Sequence, residues 1–317
     1  MANLSIIIPI YNEEENIPQL LEKTRAACEA LQKTYEIILV DDGSRDDSFR
    51  LLQEQALNNK HLRVIRFRKN FGQTAAIMAG LDIAQGEIII FMDGDLQNDP
   101  QDIQILIDKL NEGYDVVSGW RKRRKDPFFT RVLPSKMANG IISFFTGVRL
   151  RDYGCTLKAY RYDVLKDVRL YGEMHRFLPF YAALAGAKIC EVPVQHHPRV
   201  HGKSKYGLSR TFKVLLDLLT ISFLGGYSQK PIYFFGGAGV IALASGVLLA
   251  FYTLYQKLAF GIYVHRNPLV LLGGILFLGG LQFLLMGVLA EMLMRTYHES
   301  QSKPTYLVKE MVGVGKS

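Results

Sequence analysis

The feature that most constrains this chain is a short apolar run that ends in two aspartates. Residues 88–92 are all apolar, and Asp93 and Asp95 follow with Gly94 between them. Such a run predicts a strand that is buried on both faces, as in a parallel sheet. Ligands of open α/β sheets bind outside the carboxyl ends of the strands, so we expect both carboxylates to face a substrate.

The side chains after this strand also predict a metal site. Asp93, Asp95 and the amide of Gln97 offer an oxygen-only set of ligands. Mg²⁺ and Mn²⁺ prefer oxygen ligands and often share their coordination with substrate phosphates. An isolated Asp-x-Asp pattern is more often a polar turn that closes a strand. The neighbouring strands favour the metal interpretation, because they end in polar loops as well.

Strands and helices alternate through the first part of the chain. Stretches at 4–10, 36–40, 62–67 and 115–119 predict further strands, with helical segments between them. This alternation predicts an α/β fold whose mainly parallel sheet is covered on both faces. The sequence has neither a Gly-x-Gly-x-x-Gly pattern after the first strand nor a P-loop pattern, which argues against a dinucleotide-binding domain.

The charge balance indicates an anionic partner. The 317 residues carry a formal net charge of +8, and 49% of them are hydrophobic. Nucleic acid, acidic lipid and a phosphorylated substrate would each fit this charge. The chain carries no recognisable nucleic-acid-binding module, so we expect no nucleic acid. Three widely spaced cysteines favour a reduced, cytoplasmic environment.

Two stretches, 232–255 and 268–290, predict membrane spans. Neither contains a charged residue, and each is long enough to cross a hydrocarbon layer of about 30 Å as a helix. The loop between them holds only Lys257 and Arg266, whereas basic residues are more numerous before the first span and after the second. This asymmetry predicts a plasma (inner) membrane protein with two spans, whose termini are cytoplasmic together with the α/β domain that precedes the spans.

Small residues recur along both predicted spans, at positions that allow helices to approach closely. Their spacing is four residues in the first span and seven in the second, at Ala238, Ala242, Gly246, Ala250, Gly273, Gly280 and Gly287. This pattern is compatible with packing of the two spans on each other and with a homo-oligomer.

Two further segments predict helices that lie on the membrane surface. A basic run at 120–125 precedes an apolar stripe at 134–148, and a second stripe follows at 209–224. A basic segment beside an amphipathic helix is typical of contact with an anionic membrane. We therefore predict four parts: an α/β domain, a juxtamembrane helix, a transmembrane hairpin and a cytoplasmic tail, at 1–208, 209–230, 231–295 and 296–317.

Five motifs together resemble the polyprenyl-phosphate glycosyltransferases of the inverting GT-A type, which include dolichyl-phosphate mannose synthase and the bacterial bactoprenol glucosyltransferases. The motifs are PIYNEE at 9–14, VDDGS at 40–44, NFG at 70–72, DGDLQ at 93–97 and RVHGKSKY at 199–206. The resemblance covers about the first two-thirds of the chain. It implies a GT-A catalytic domain with a Rossmann-like sheet.

The resemblance assigns residues to the donor, a nucleotide sugar. It implies that the nucleoside is lined by Pro9, Tyr11 and Glu13, that Asp42 accepts a hydrogen bond from the base, and that Asp93 lies near the ribose or the metal. Asp95 and Gln97 would ligate Mg²⁺ or Mn²⁺. The catalytic set would consist of Asp95, Asp152 and two cations that hold the diphosphate, Arg199 and Lys205.

The resemblance also assigns residues to the acceptor, a polyprenyl phosphate. Arg131 and Ser135 match in spacing the positions that hold the lipid phosphate, and Arg121 matches more loosely. Asp152 either faces the acceptor or caps the following turn, and the sequence leaves both open. For His175 we expect a structural role.

The reaction expected is transfer of one hexosyl unit, with glucose from UDP-glucose as the preferred donor, and with inversion at C1. An acceptor phosphate is already an anion at pH 7 and needs little help from a general base. One alternative is a processive polysaccharide synthase, but the Gln-x-x-Arg-Trp motif of those enzymes is absent and Trp120 is the only tryptophan. Another alternative is a non-catalytic sugar-nucleotide-binding scaffold.

Overall fold

A computed structural model describes residues 3–122, 139–140, 142–143, 146–170, 174–198, 231–264, 267–300 and 306–313. The chain divides into two compact units, Met1–Leu218 with Pro304–Ser317, and Leu219–Lys303. Several sequence predictions fall outside the described residues. These are most of the helix at 134–148, the helix at 209–230, and the site residues Arg131, Ser135, Arg199 and Lys205.

The first unit is built on one mixed sheet with helices on both faces. Its strands are β1 (Leu4–Ile10), β2 (Tyr35–Asp41), β3 (Leu62–Phe67), β4 (Ile88–Phe91), β5 (Val116–Arg121), β6 (Lys158–Arg161), β7 (Ile189–Val194) and β8 (Val308–Val312). Its helices are α1 (Ile17–Ala30), α2 (Ser48–Leu57), α3 (Gln73–Ile83), α4 (Ile103–Asn111) and α5 (Leu178–Leu184). Short 3₁₀ turns occur at Pro100–Asp102, Tyr162–Val164 and Met174–Phe177.

The order of the strands is β7-β5-β6-β4-β1-β2-β3-β8. The central strands β4, β1, β2 and β3 are parallel, as are β5 and β7. β6 runs antiparallel to β4 and β5, and β8 runs antiparallel to β3. The predicted α/β fold is therefore confirmed, with a parallel centre and antiparallel strands that the sequence pattern did not reveal.

Alternate residues of β1 show how the two faces are covered. Ile6, Ile8 and Ile10 belong to a buried cluster that also contains residues of α1, α2 and α4. Ile7 points to the other face, where a Cβ on Gly80 of α3 would lie 2.4 Å from its side chain. Because α3 approaches β1 this closely, only glycine fits at position 80. The sheet is thus buried on both faces, as its apolar strands require.

The second unit is a pair of apolar helices, α6 (Pro231–Phe260) and α7 (Pro268–Ser300). The stretches Phe235–Phe260 and Pro268–Ala290 are long and apolar enough to cross a membrane. Little of either stretch is buried within the protein. These helices confirm the two apolar segments predicted from the sequence.

Glycines form the contact between α6 and α7. A Cβ on Gly239 would lie 2.8 Å from the carbonyl oxygen of Gly280, and a Cβ on Gly246 would lie 2.8 Å from that of Gly273. Buried residues recur every seven positions along both helices, at Gly239, Gly246, Thr253, Gly273, Gly280 and Gly287. Ala238 and Ala250 are exposed, so the four-residue alanine pattern does not mark the contact.

The segment predicted as a tail at 296–317 contains a strand of the catalytic sheet. α7 extends to Ser300, and Val308–Val312 then pairs with β3. Tyr306 stacks on Phe67 at a centroid distance of 5.1 Å and donates a hydrogen bond to Asp82. Glu310 forms an ion pair with Arg66 at 3.0 Å. The tail prediction is wrong for these residues, because they complete the first unit.

Candidate active site

The loops that follow β1 and β2 are joined by hydrogen bonds at the carboxyl edge of the sheet. Asn12 has a positive φ of 50°, and its side chain accepts from the backbone N–H of Arg45 at 2.8 Å. In return, the N–H of Asn12 donates to the hydroxyl of Ser44, and that of Glu13 donates to Ser48. These contacts fix the chain around Tyr11 and Glu13 at the predicted site edge. Pro9 lies half-buried near the end of β1.

Asp42 joins the loop after β2 to the start of α3. Its two carboxylate oxygens accept from the backbone N–H groups of Phe71 at 2.6 Å and Gly72 at 2.9 Å. Burial raises the pKa of this carboxyl to about 6, although the two hydrogen bonds act in the opposite direction. Gly43 has a φ of +70°, and a Cβ there would lie 2.5 Å from the backbone of Lys69. Acceptance from a nucleobase by Asp42 stays a prediction.

Asp93 is held from two sides by neutral donors. Its Oδ1 accepts from the amide of Gln73 at 2.8 Å, and its Oδ2 accepts from the hydroxyl of Thr156 at 2.7 Å. Its backbone N–H donates to the side chain of Asn98. Burial, followed by the negative charge of Asp95, raises the pKa of Asp93 to about 6. A carboxylate has four lone-pair sites, so both oxygens retain capacity for a further ligand.

The rest of the metal motif forms a tight turn. Asp95 is buried and accepts from the N–H of Gln97 at 3.2 Å, while Leu96 between them has a positive φ of 60°. The backbone carbonyl of Gln97 accepts from the N–H of His197 at 2.9 Å. Asp99 lies 3.2 Å from the ring of the same histidine. The chain that follows β7 therefore runs beside the motif as far as the described residues extend.

Asp93, Asp95 and Gln97 stay the predicted ligands of a divalent cation, which would need further ligands from elsewhere. Among the described residues there is no cluster of three or more His, Cys, Asp or Glu side chains suited to a metal ion. Asp93, Asp95 and Gln97 supply two carboxylates and one amide, which is fewer than Mg²⁺ or Mn²⁺ requires. Such ions commonly complete their coordination with water and substrate phosphates.

Arg121 and Asp152, both predicted site residues, form an ion pair in which the aspartate is buried and the arginine is partly buried. Arg121 donates from Nε to Oδ2 at 2.7 Å and from Nη2 to Oδ1 at 2.8 Å. Although burial acts to lower it, the pKa of Arg121 is raised by these hydrogen bonds. Glu191 accepts from the N–H groups of Arg151 and Asp152 and so fixes the loop that carries the carboxylate. Asp152 therefore orients Arg121.

Sequence reasoning missed several residues that surround the predicted site. Gln73, Asn98 and Thr156 all contact Asp93, yet each is a common residue in an ordinary loop or helix start. For Lys158 there was one hint in the sequence, because a lysine there begins a short segment whose next two residues, Ala159 and Tyr160, are apolar. The predicted structural role of His175 agrees with its position, where it is buried and lies 2.8 Å from the hydroxyl of Thr74.

Comparison with known proteins gives a consistent result. Residues 5–169 match the family model described as glycosyl transferase family 2. The dodecaprenyl-phosphate galacturonate synthase of Rhizobium johnstonii is 43% identical, over 97% of this chain and 92% of that protein. The undecaprenyl-phosphate 4-deoxy-4-formamido-L-arabinose transferase of Proteus mirabilis is 38% identical, over 99% and 95%.

A solved structure shows the same fold at low sequence identity. Glucosyl-3-phosphoglycerate synthase from Mycobacterium tuberculosis, in complex with Mn²⁺ and UDP-glucose, superposes with a TM-score of 0.52. The match has 17% identity and covers 70% of this chain and 78% of that one. Together these similarities confirm the GT-A type of fold and the resemblance to polyprenyl-phosphate glycosyltransferases.

Proposed function

Because this chain belongs to glycosyltransferase family 2, we propose that it transfers one sugar unit from a nucleotide sugar to the phosphate of a membrane polyprenol, with inversion at C1. The observation that carries the proposal is the extent of the similarity. The relatives named for transfer to dodecaprenyl and undecaprenyl phosphate align with 97% and 99% of this chain, so the apolar helices are included.

The identity of the sugar is the finer part of the proposal. The sequence favours glucose from UDP-glucose, whereas the two relatives are named for galacturonate and 4-deoxy-4-formamido-L-arabinose. A UDP-linked sugar remains the proposed donor. Glucose is one candidate for its sugar beside galacturonate and the formamido sugar.

On the donor side, the loops after β1 and β2 would bind the nucleoside through Tyr11, Glu13 and Asp42. Asp95 and Gln97, with Asp93 beside them, would hold Mg²⁺ or Mn²⁺, which neutralises negative charge on the departing diphosphate. The binding of Mn²⁺ with a nucleotide by a protein of the same fold supports a divalent ion. Arg199 and Lys205 are proposed to hold the diphosphate as fixed cations.

On the acceptor side, Arg121, Arg131 and Ser135 are proposed to bind the lipid phosphate. The phosphate oxygen attacks C1 from the face opposite the diphosphate. Since this oxygen is already anionic, no residue needs to remove a proton from it. The ion pair with Arg121 then gives Asp152 a positioning role, in which it orients a cation toward the acceptor.

The topology of the chain supports a cytoplasmic catalytic domain. In the sequence, the α6–α7 hairpin is preceded and followed by residues of the first unit, because β8 comes after α7 and pairs with β3. If both helices cross the bilayer, the first residue of α6 and the last residue of α7 must lie on the same side of the membrane. The greater number of basic residues flanking these ends assigns that side to the cytoplasm, where nucleotide sugars are available.

The proposal is tested by incubating membranes that contain the protein with polyprenyl phosphate and a panel of radiolabelled nucleotide sugars. We expect label in a chloroform-extractable lipid that carries a single sugar. Label in a polymer would favour a processive synthase, and nucleotide-sugar binding without transfer would favour a scaffold. Membranes with Asp95→Asn serve as the control.

Two variants separate the proposed substrate sites. Arg131→Ala should raise the KM for polyprenyl phosphate and leave UDP binding nearly unchanged, because loss of one charge-assisted bond costs about 1.5–3 kcal/mol. Lys205→Ala should instead weaken UDP binding measured by calorimetry without lipid. Equal losses of UDP binding in both variants would show that Arg131 belongs to the donor site.

A further inference from the structure

A buried lysine lies beside the proposed metal motif and has no assigned role. Lys158 begins β6, where it pairs in register with Phe91 of β4 and Ser118 of β5. The residue is 4% exposed. Burial of an ammonium group costs free energy unless polar partners surround it, so Lys158 needs polar partners at this position.

The partners of Lys158 are backbone carbonyls of one loop. Its Nζ donates to the carbonyl oxygen of Tyr153 at 3.3 Å and to that of Cys155. In the described part of the chain, both hydrogen bonds given for this nitrogen go to backbone carbonyls. The lysine therefore holds the loop between Asp152 and β6 by its backbone.

This loop supplies one of the two donors that hold Asp93. The hydroxyl of Thr156, next to Cys155, donates to Oδ2 of Asp93, while Gln73 donates to Oδ1. The two donors come from separate parts of the fold, the loop before β6 and the first residue of α3. Together they fix the plane of the carboxylate without occupying all of its lone pairs.

We propose that Thr156 positions the Asp93 carboxylate for the metal–nucleotide complex, and that Lys158 keeps Thr156 in place by holding its loop. Neither residue contacts the substrate in this role. The inference rests on the proposed function, because it requires that Asp93 faces a divalent ion and its nucleotide. Residues that orient metal ligands commonly change affinity by about 10- to 100-fold when they are replaced.

The test measures Mn²⁺ binding to the full-length protein in detergent, with UDP and without any acceptor, from the electron paramagnetic resonance signal of free Mn²⁺. Thr156→Val, which keeps the shape and removes the donor, should raise the dissociation constant about 10-fold or more. Thr156→Ser retains the hydroxyl and should stay within about twofold of wild type. Lys158→Met should also raise the dissociation constant for Mn²⁺, as Thr156→Val does.

Ser118→Ala is the matched control. Ser118 pairs in register with Lys158, is fully buried, and its hydroxyl has no hydrogen-bond partner in the described part of the chain. Its replacement should leave Mn²⁺ binding unchanged. In contrast, a merely structural Thr156 would lower the melting temperature in Thr156→Val without changing the dissociation constant, and that result would overturn the inference.

The outcomes also separate this inference from the proposed function. Wild-type binding of Mn²⁺ with equal binding by Thr156→Val would refute the positioning role alone. Transfer to an acceptor other than a polyprenyl phosphate would not affect the positioning role of Thr156, since the binding test contains no acceptor. Failure of the wild type to bind Mn²⁺ with UDP would refute both the metal assignment and the positioning role.

Discussion

The guanidinium of Arg121 and the carboxylate of Asp152 face each other in a two-point ion pair, with both hydrogen bonds shorter than 3 Å. Asp152 is 4% exposed on its side chain and Arg121 is 16% exposed. Removal of one partner from a buried pair leaves the other charge without compensation, which typically costs about 3–5 kcal/mol.

A double-mutant cycle should therefore show strong coupling between these residues. Arg121→Met and Asp152→Asn should each lower the melting temperature, and the double variant should lose less than the sum of the two. Both single variants should also raise the KM for polyprenyl phosphate, since Asp152 acts through Arg121. Additive losses, or a raised KM in Arg121→Met alone, would contradict this positioning role.

The metal assignment predicts a large effect of a small change. Asp95→Asn should reduce transfer by about 100-fold or more, as expected for loss of an electrostatic group at the reacting diphosphate. The fold should remain intact, because an asparagine oxygen can still accept from the N–H of Gln97. Chelation with EDTA should abolish transfer by the wild type.

A residue of the same loop provides the control for this variant. Asp99 accepts from the N–H of Gln101 and contacts His197, but it is not among the proposed ligands. Asp99→Asn should retain most of the transfer activity. Comparable losses in the two variants would mean that the loop is sensitive to any change of charge and that no specific metal ligand has been identified.

The raised pKa of Asp42 predicts a pH dependence of stability. The folded protein binds this proton more tightly than the unfolded chain, since the pKa rises from 3.8 to about 6 on folding. Protonation therefore stabilises the fold, and this contribution is lost as the pH rises from about 4 to about 6. The melting temperature of the wild type should fall over this range relative to that of Asp42→Asn.

The other acidic groups are present in both proteins, so most of their contribution cancels in this comparison. Above about pH 7 the difference in melting temperature should be constant, because Asp42 is then ionised in both states. If the wild type instead gains stability relative to Asp42→Asn as the pH rises from 4 to 6, the pKa of Asp42 is lowered on folding. The hydrogen bonds from Phe71 and Gly72 would then outweigh the cost of burial.

The glycine contact between α6 and α7 predicts different effects for two adjacent substitutions. A Cβ on Gly280 would lie 2.7 Å from the backbone nitrogen of Leu243, whereas a Cβ on Gly279 meets nothing within 4 Å. Gly280→Ala should destabilise the hairpin by about 1–3 kcal/mol through overpacking. Gly279→Ala should not, and thermal unfolding in detergent measures the difference. Equal thermal stability of the two variants would mean that α6 and α7 do not contact each other at Gly280.

The proposed topology is tested by cysteine labelling in intact cells. Tyr263→Cys, in the loop between α6 and α7, should react with an impermeant maleimide added outside. Leu307→Cys, just before β8, should react only after the cells are opened, although Leu307 is 60% exposed. The reverse pattern would place the active site away from cytoplasmic nucleotide sugars.

Local patterns were sufficient to predict the centre of the fold. The strand at Leu62–Phe67 matches the predicted bounds, and Asp93 and Asp95 follow β4 as the apolar run indicated. Parallel strands also predict which loops meet, since their carboxyl ends share one edge. The contact between Asp42 and Phe71 lies at that edge and joins two of the five sequence motifs.

The unpredicted parts depend on contacts between distant residues. β8 is short, carries Lys309 and Glu310, and becomes a strand only because β3 offers an edge more than two hundred residues earlier. Thr156 gains its role from its position beside Asp93, which no local pattern encodes. The helix contact was only partly predicted because small residues occur on more than one face of α6, and packing against α7 selects the glycines.

The position of β8 in the chain also bears on how the protein is made. Val308–Val312 follows both apolar helices in the sequence, so the ribosome produces the partner of β3 only after the hairpin. Until then β3 exposes an unpaired edge, of the kind that promotes association with other chains. Closure of the catalytic sheet therefore comes after synthesis of the two apolar helices, so the first unit is completed only when both helices have been made.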